Sequence, residues 1–289
     1  MTGSAGEPAA GVVARLRAAG CVFAEDEARL LMAAAHTPAQ LSDLVARRVS
    51  GLPIEHVLGW AEFCGLRMVV APGVFVPRRR SEFLVGEAVR AVRGRAGAKA
   101  APSIAAAGVL VPERPTVVLD LCCGCGAIGV AVATALGRTE LHAADIDRAA
   151  VACARRNVAA VGGQVHEGDL FVPLPADLRG RVDLLLLNAP YVPTRELGMM
   201  PAEARLYEPR IALDGGPDGV EVHRRVAARA ADWLAPAGRL LIETSERQAP
   251  LTAAAMRSGG LSPAVVTDDD LEATVVIGTA VLSQHSPLG

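Results

Sequence analysis

Aromatic residues make up only 3% of this 289-residue chain, and its formal net charge is −2. A chain with so few stacking groups and no excess of positive charge has no general grip on nucleic acid or on an anionic membrane surface. Arg78, Arg79 and Arg80 are a local exception, of a kind that is more often a solvated loop than a binding patch. No apolar run approaches the roughly 18 residues of a membrane span. The first twenty residues are interrupted by Pro8, Arg15 and Arg17 before the apolar segment of an export signal could form, so a cytoplasmic protein is expected. The six cysteines lack the even spacing of a disulfide framework, which suits a reducing compartment. What the chain does have is apolar content: 51% hydrophobic and 21% charged residues suffice for one large or two modest domains with a core.

The apolar spacing predicts three short helices in residues 1–53, in "GVVARLRAAG", "DEARLLMAAA" and "TPAQLSDLVARRVSG", the last with Thr37 as N-cap before Pro38. Residues 54–76 turn to Gly, Pro and β-formers and read as a β-hairpin linker. A third unit, 77–289, opens with a helix in "RSEFLVGEAVRAV". The Ala-, Gly- and Pro-rich stretch from Arg93 to Pro115 reads as a mobile insertion. Strands then alternate with helices: "TVVLDLCCG", "AIGVAVATAL", "ELHAADID", "AAVACARRNVAAV", "QVHEGD", "VDLLLLNAPY", "GVEVHRRVAARAADWL" and "GRLLIETS". Such alternation predicts an α/β doubly wound parallel sheet with ligands at the carboxyl ends of its strands. "ATVVIGTAVL" closes it as one long strand or a strand pair.

Two features mark those strand ends. The strand "TVVLD" reaches Asp120 and enters "LCCGCG", where Gly124 and Gly126 remove side chains and the next helix points its amides into the same space. One strand later Asp145 stands where a carboxylate can accept both hydrogen bonds of a ribose diol. Dinucleotide binders and S-adenosylmethionine binders share this pattern, and so does a tight turn with no ligand. Cys122 and Cys125 form a C-x-x-C pair, but no second Cys or His pair completes a zinc set; small residues filling a crowded turn account for them, and no metal is expected. The second feature is "LLLLNAPYVP", residues 184–193: a strand apolar enough to be buried on both faces ends in an amide, Asn188, followed by a turn fixed by Pro190.

Together these segments resemble the class I S-adenosylmethionine-dependent methyltransferases, with their Rossmann-like fold. Within that class they resemble the amino and amide methyltransferases marked by Asn-Pro-Pro-Tyr after the fourth strand; here the segment is "NAPY". "FVPRRRSEFLV" is similar to the Ile-Pro-Arg-Pro-Glu-Thr-Glu segment of one group, and "RRVSGLPIEHVLGWAEFCG", "GDLFVPL", "YEPRIALDGGPDG" and "LLIETSERQ" match it in order. That group is the protein glutamine methyltransferases of the PrmC/HemK type, which modify the glutamine of the Gly-Gly-Gln motif in peptide-chain release factors; the likeness covers roughly residues 40 to 250. It implies a cofactor site of Asp120, Cys122, Cys123, Gly124, Cys125, Gly126, Asp145, Asp169, Leu170 and Asn188. In it Cys122 to Gly126 border the methionine part, Asp145 the ribose, and Asp169 with Leu170 the adenine. It also implies a catalytic set of Asn188, Ala189, Pro190 and Tyr191, and a release factor as protein partner, recognised by the N-terminal helices of a monomer.

Such a set suits an amide. A glutamine nitrogen is a poor nucleophile because its lone pair is delocalised into the carbonyl. Asn188 can accept one N–H through its side-chain oxygen and the Ala189 carbonyl the other, with Pro190 limiting the turn and Tyr191 as an aromatic wall. The departures are Ala189 for the first proline, Cys122 for the first glycine of the cofactor loop, and "RRRSE", which changes charge near the cofactor entrance. Gly162-Gly163-Gln164 mimics the substrate motif by coincidence. Two other functions fit part of the pattern: methylation of an exocyclic amino group in DNA or RNA, and cofactor binding without catalysis.

Overall fold

In the computed structural model, residues 9–98 and 114–280 are described. Helices α1 (Ala9–Ala18), α2 (Ala24–Ala34) and α3 (Pro38–Val49) form the expected bundle. Their core is Val12, Leu16, Ala28, Leu31, Leu41, Leu44 and Val45. Thr37 caps α3, its hydroxyl accepting from the Gln40 N–H at 3.2 Å. The expected hairpin over 54–76 is shorter: Ile54–Leu58 is a helical turn, α4, and only β1 (Trp60–Phe63) and β2 (Leu66–Val69) pair as antiparallel strands. Cys64 and Gly65 join them with φ of +50° and +70°, the two left-handed residues of a tight hairpin turn.

Helix α5 (Glu82–Ala98) runs further than its predicted span and takes up the first residues of the supposed insertion; residues 99–113 lie outside the described residues. Then follow β3 (Thr116–Leu121), α6 (Ala127–Leu136), β4 (Thr139–Asp145), α7 (Arg148–Val158), β5 (Gln164–Glu167), β6 (Val182–Leu187), α8 (Ala202–Tyr207), α9 (Glu221–Trp233), β7 (Leu234–Thr244), α10 (Ala249–Ser258), β8 (Leu261–Asp268) and β9 (Ala273–Ala280). The sheet order is β5-β4-β3-β6-β7-β9-β8. Five strands are parallel as expected, but β9 lies antiparallel to β7 and β8, so the doubly wound sheet is mixed, not wholly parallel. The chain steps outward from β3 through β4 to β5, then crosses back to lay β6 on the other side of β3. Ligands of doubly wound folds sit at this reversal. Register sets the level: Leu121 pairs with both Ala144 and Leu187, so Cys122, Asp145 and Asn188 leave three adjacent strands side by side.

Burial follows the two-residue period of a strand. Leu184 and Leu186 pack into the core on one face of the sheet, and Leu185 and Leu187 into the core on the other. The bundle is tied to this body by charge and backbone. Arg48 makes a bidentate pair with Glu27 at 2.7 and 2.9 Å and reaches Glu203 at 3.4 Å, and the Tyr207 hydroxyl donates to the Ser50 carbonyl at 2.9 Å. Asn157 of α7 fastens the hairpin to the loop after β3. Its Oδ1 accepts from the Val69 N–H at 2.8 Å, and its Nδ2 donates to the carbonyls of Val69 at 2.9 Å and Cys125 at 2.8 Å.

Asn157 is buried, so truncating it would leave the Val69 N–H and the Cys125 carbonyl without this partner, while the Val69 carbonyl keeps the Cys153 thiol at 3.0 Å. Asn157→Ala is expected to lower the unfolding free energy by about 3 kcal/mol, read from urea denaturation; a loss below about 0.5 kcal/mol would contradict the clamp.

Candidate active site

The loop after β3 is shaped by backbone conformation. Cys122, Gly124 and Gly126 have φ of +54°, +56° and +80°, in the left-handed region where a Cβ is strained. Gly126 has a further reason to lack a side chain: a Cβ there would stand 3.0 Å from Val158 Cγ2. The turn is pinned by the Cys123 N–H donating to the Ala144 carbonyl at 3.1 Å, and it aims the N-terminus of α6 into a cavity at the strand ends.

Asp145 holds the loop from the neighbouring strand. Its Oδ2 accepts from the Gly124 N–H at 2.8 Å and its Oδ1 from the Asp147 N–H at 2.9 Å. Burial raises its carboxyl above the ordinary value, and the two N–H groups act against that. Each oxygen retains acceptor capacity, and the residue faces the cavity beside Ile146. Asp169 and Leu170 reach the same cavity; Asp169 is paired with Arg225 of α9 at 2.5 Å, and Leu170 has φ of +49°.

On the opposite side stands the exit of β6. The Asn188 Nδ2 donates to the Ser81 Oγ at 3.0 Å, which leaves the amide oxygen for the cavity. The turn that follows is clamped from behind. Gln248 donates to the Tyr191 carbonyl at 2.8 Å and to the Asp218 carbonyl at 3.0 Å, and the Gly215 N–H donates to the Val192 carbonyl at 2.9 Å. Gly215 and Gly219 are glycines because the turn touches them: a Cβ on Gly215 would meet the Pro190 carbonyl oxygen at 2.7 Å, and one on Gly219 the Tyr191 carbonyl oxygen at 2.3 Å. The Arg80 guanidinium lies 5.6 Å from the centre of the Tyr191 ring. Burial, helped by Glu243, pushes the Tyr191 phenol up to about 12 despite Arg80 and Arg78, so the ring is a neutral wall and not a base.

Of the residues singled out from sequence, Cys122, Cys123, Gly124, Cys125, Asp145, Asp169, Leu170, Asn188, Ala189, Pro190 and Tyr191 line this one cavity. Asp120 and Gly126 stand outside the lining. Asp120 is buried behind the loop, where its Oδ2 accepts from the Gly129 N–H of α6 at 2.9 Å; it supports the loop from beneath. The thiols of the C-x-x-C pair are held in the neutral form by burial, Cys125 pushed up to about 12 and Cys122 raised as well. Among the described residues no group of three or more His, Cys, Asp or Glu could hold a metal. Sequence reasoning missed Phe75, Ser81, Ile146 and Arg225, which also line the cavity. Ser81 sits in the arginine-rich segment already marked as unusual, and Arg225 on a helix with no local sign of its partner.

The sequence matches the methyltransferase small domain family over residues 106–257. A release factor glutamine methyltransferase from Geobacter sulfurreducens is 39% identical over 208 residues, which span 71% of this chain and 65% of that protein. One from Streptomyces coelicolor is 34% identical over 227 residues, 78% of this chain and 71% of that protein. One from Gloeobacter violaceus is 38% identical over 216 residues, 73% of this chain and 68% of that protein.

Desolvation raises the Asp120 carboxyl to about 7, against the favourable Gly129 hydrogen bond. A native state that binds the proton more tightly than the unfolded chain draws stability from it below the unfolded value near 3.8 and loses that stability as pH rises through about 7. Asp120→Asn, neutral at every pH, is expected to remove up to about 4 kcal/mol of the decline between pH 4 and pH 8, read as unfolding free energy of both proteins across that range. Parallel curves for the two would contradict a buried, proton-binding Asp120.

Proposed function

The chain belongs to the release factor glutamine methyltransferase family, and from that membership we infer that it transfers the methyl group of S-adenosylmethionine to a glutamine side-chain amide of a peptide-chain release factor. The observation that supports this function is the exit of β6, where Asn188, its NH2 taken by Ser81, and Ala189 line a cavity built at the sheet's reversal. The cavity fits the methyl donor. A half-buried carboxylate, Asp145, stands at a strand end where a ribose diol would meet it; the loop from Cys122 to Gly126 leaves backbone N–H groups and little side-chain bulk for an amino acid moiety; Ile146 and Leu170 offer apolar contact to a purine.

When bound, the donor supplies a methyl group on a positively charged sulfur. The chain must then make a poor nitrogen nucleophile attack it. Asn188 Oδ1 accepts one N–H of the glutamine and the Ala189 carbonyl accepts the second, so the nitrogen lone pair is turned along the line of transfer. As the nitrogen–carbon bond forms and the sulfur–carbon bond breaks, positive charge grows on nitrogen. The same two acceptors stabilise it more than they stabilise the ground state, which is the condition for acceleration. The extra proton then leaves the nitrogen for solvent. Tyr191 and Phe75 wall the planar amide. The bundle formed by α1 to α3 recognises the partner, a role supported by its exposed Val22 and Phe23 between α1 and α2. Among the described residues no helix is long and apolar enough to cross a membrane, and a substrate from protein synthesis places the reaction in the cytoplasm.

Incubation with methyl-labelled S-adenosylmethionine and an unmodified release factor is expected to label the glutamine of its Gly-Gly-Gln motif. Asn188→Ala should reduce that labelling on the order of 100- to 1000-fold in kcat, measured at saturating cofactor. Label on duplex DNA or RNA in place of the release factor, or tight cofactor binding with no turnover, would overturn the assignment.

A further inference from the structure

An asparagine amide presents nearly the same outline whichever way it is turned, so catalysis by its oxygen requires something to reject the reversed orientation. In the reversed state Asn188 would face the substrate's N–H groups with donors of its own. The β6 turn does not settle this, because it holds only the backbone. The side-chain neighbour is Ser81, in the helical turn before α5, with Oγ 3.0 Å from Asn188 Nδ2 and the residue 1% exposed. A serine hydroxyl is itself ambiguous: it can donate or accept.

The group that removes the ambiguity is Glu243. Leu187 of β6 pairs with Ile242 of β7, so Asn188 and Glu243 follow one another's partners at the same end of the sheet. Glu243 is 2% exposed, its Oε2 has no hydrogen-bond partner, and its Oε1 lies 3.4 Å from Arg80 Nε. Burial raises its carboxyl above the ordinary value, while Ser81 and Arg80 favour the charged form. In its carboxylate form, which the neighbouring Arg80 favours, Glu243 only accepts, so a hydrogen bond between the two must carry the proton of Ser81. The serine oxygen is then restricted to accepting, and the only group Asn188 can offer it is the NH2.

We propose that Ser81 is a positioning residue, oriented by Glu243, that fixes the Asn188 amide with its oxygen toward the substrate. Polarity passes in one direction from Arg80 through Glu243 and Ser81 to Asn188, and the acceptor needed for the reaction stands at its end. The proposal rests on the glutamine-amide function assigned above and names a further residue for it. It also accounts for a buried carboxylate that lies behind the cavity lining without being part of it.

Four variants test it: Ser81→Ala, Ser81→Thr, Glu243→Gln and the double variant Ser81→Ala/Glu243→Gln. Glutamine keeps the size of Glu243 but can donate to Ser81, which frees the serine proton to meet the Asn188 oxygen and permits the reversed amide. Ser81→Ala and Glu243→Gln are each expected to lower kcat about 10- to 100-fold with KM for the release factor and cofactor Kd within about twofold. Ser81→Thr should restore most of the rate, and the double variant should be no slower than Ser81→Ala alone. Single variants within about threefold of wild type, a threonine no better than alanine, or losses that multiply in the double variant would overturn the relay. A second readout does not depend on turnover. By NMR, the Asn188 side-chain NH2 protons should exchange slowly in wild type and fast in Ser81→Ala, and equal exchange in both would overturn the proposal. If wild type transfers no methyl to the release factor, the function assigned above fails, and this exchange comparison still decides the relay.

Discussion

The structure depends on one constraint, the parallel register of β3 and β6 at the point where the sheet reverses. Leu121 pairs with Leu187, so the two chains must leave the sheet at the same level and diverge around a common space. Four leucines buried in alternation on both faces are flanked by Asp183 and Asn188, so a slip of one residue would draw a polar side chain into an apolar core. Cys122, Asp145 and Asn188 inherit their proximity from this pairing. The chemistry is thereby placed on rigid strand ends and not on independently mobile loops.

Rigid strands do not by themselves orient polar side chains, and the site is finished by contacts from remote segments. Gln248 and the glycines at 215 and 219 hold the backbone of the Asn188–Tyr191 turn, Asn157 holds the loop after β3 to the hairpin, and Asp145 holds that loop across the sheet. Each is a buried or half-buried polar group with its partners supplied, the condition under which such groups add order instead of instability. Arg78 and Arg80, unusual in the sequence, are accounted for in the same way. Arg78 binds the buried Glu208 at 2.6 and 2.7 Å, and Arg80 lies between Glu243 and the Tyr191 ring. The arginine-rich segment is a set of internal counter-charges at the cavity mouth as much as a solvated loop.

The readable part of this architecture was the part encoded by local period and by position at strand ends. Alternating strands and helices gave the doubly wound core, and Asn188 and Asp145 were conspicuous because polar residues follow apolar strands there. Three kinds of feature were hidden. The antiparallel edge formed by β8 and β9, with α10 before it, has the same apolar texture as a parallel strand, so direction could not be read. The turn Ile54–Leu58 is too short for helical periodicity to show. Ser81, Arg225 and Gln248 meet partners 107, 56 and 57 residues away, and nothing in their own neighbourhoods names those partners. Asp120 misled in the other direction: its strand-end position suits a ligand contact, but its side chain points back to cap α6 through Gly129.

The central claim is geometric, that an amide oxygen and a carbonyl at the end of β6 hold the two hydrogens of a glutamine amide. A crystal structure of this chain with S-adenosylhomocysteine and a Gly-Gly-Gln peptide tests it directly. The glutamine nitrogen is expected within hydrogen-bond distance of both Asn188 Oδ1 and the Ala189 carbonyl oxygen, with Asn188 Nδ2 still on Ser81. A glutamine held by other groups, or an Asn188 that has turned its NH2 to the cavity, would contradict it.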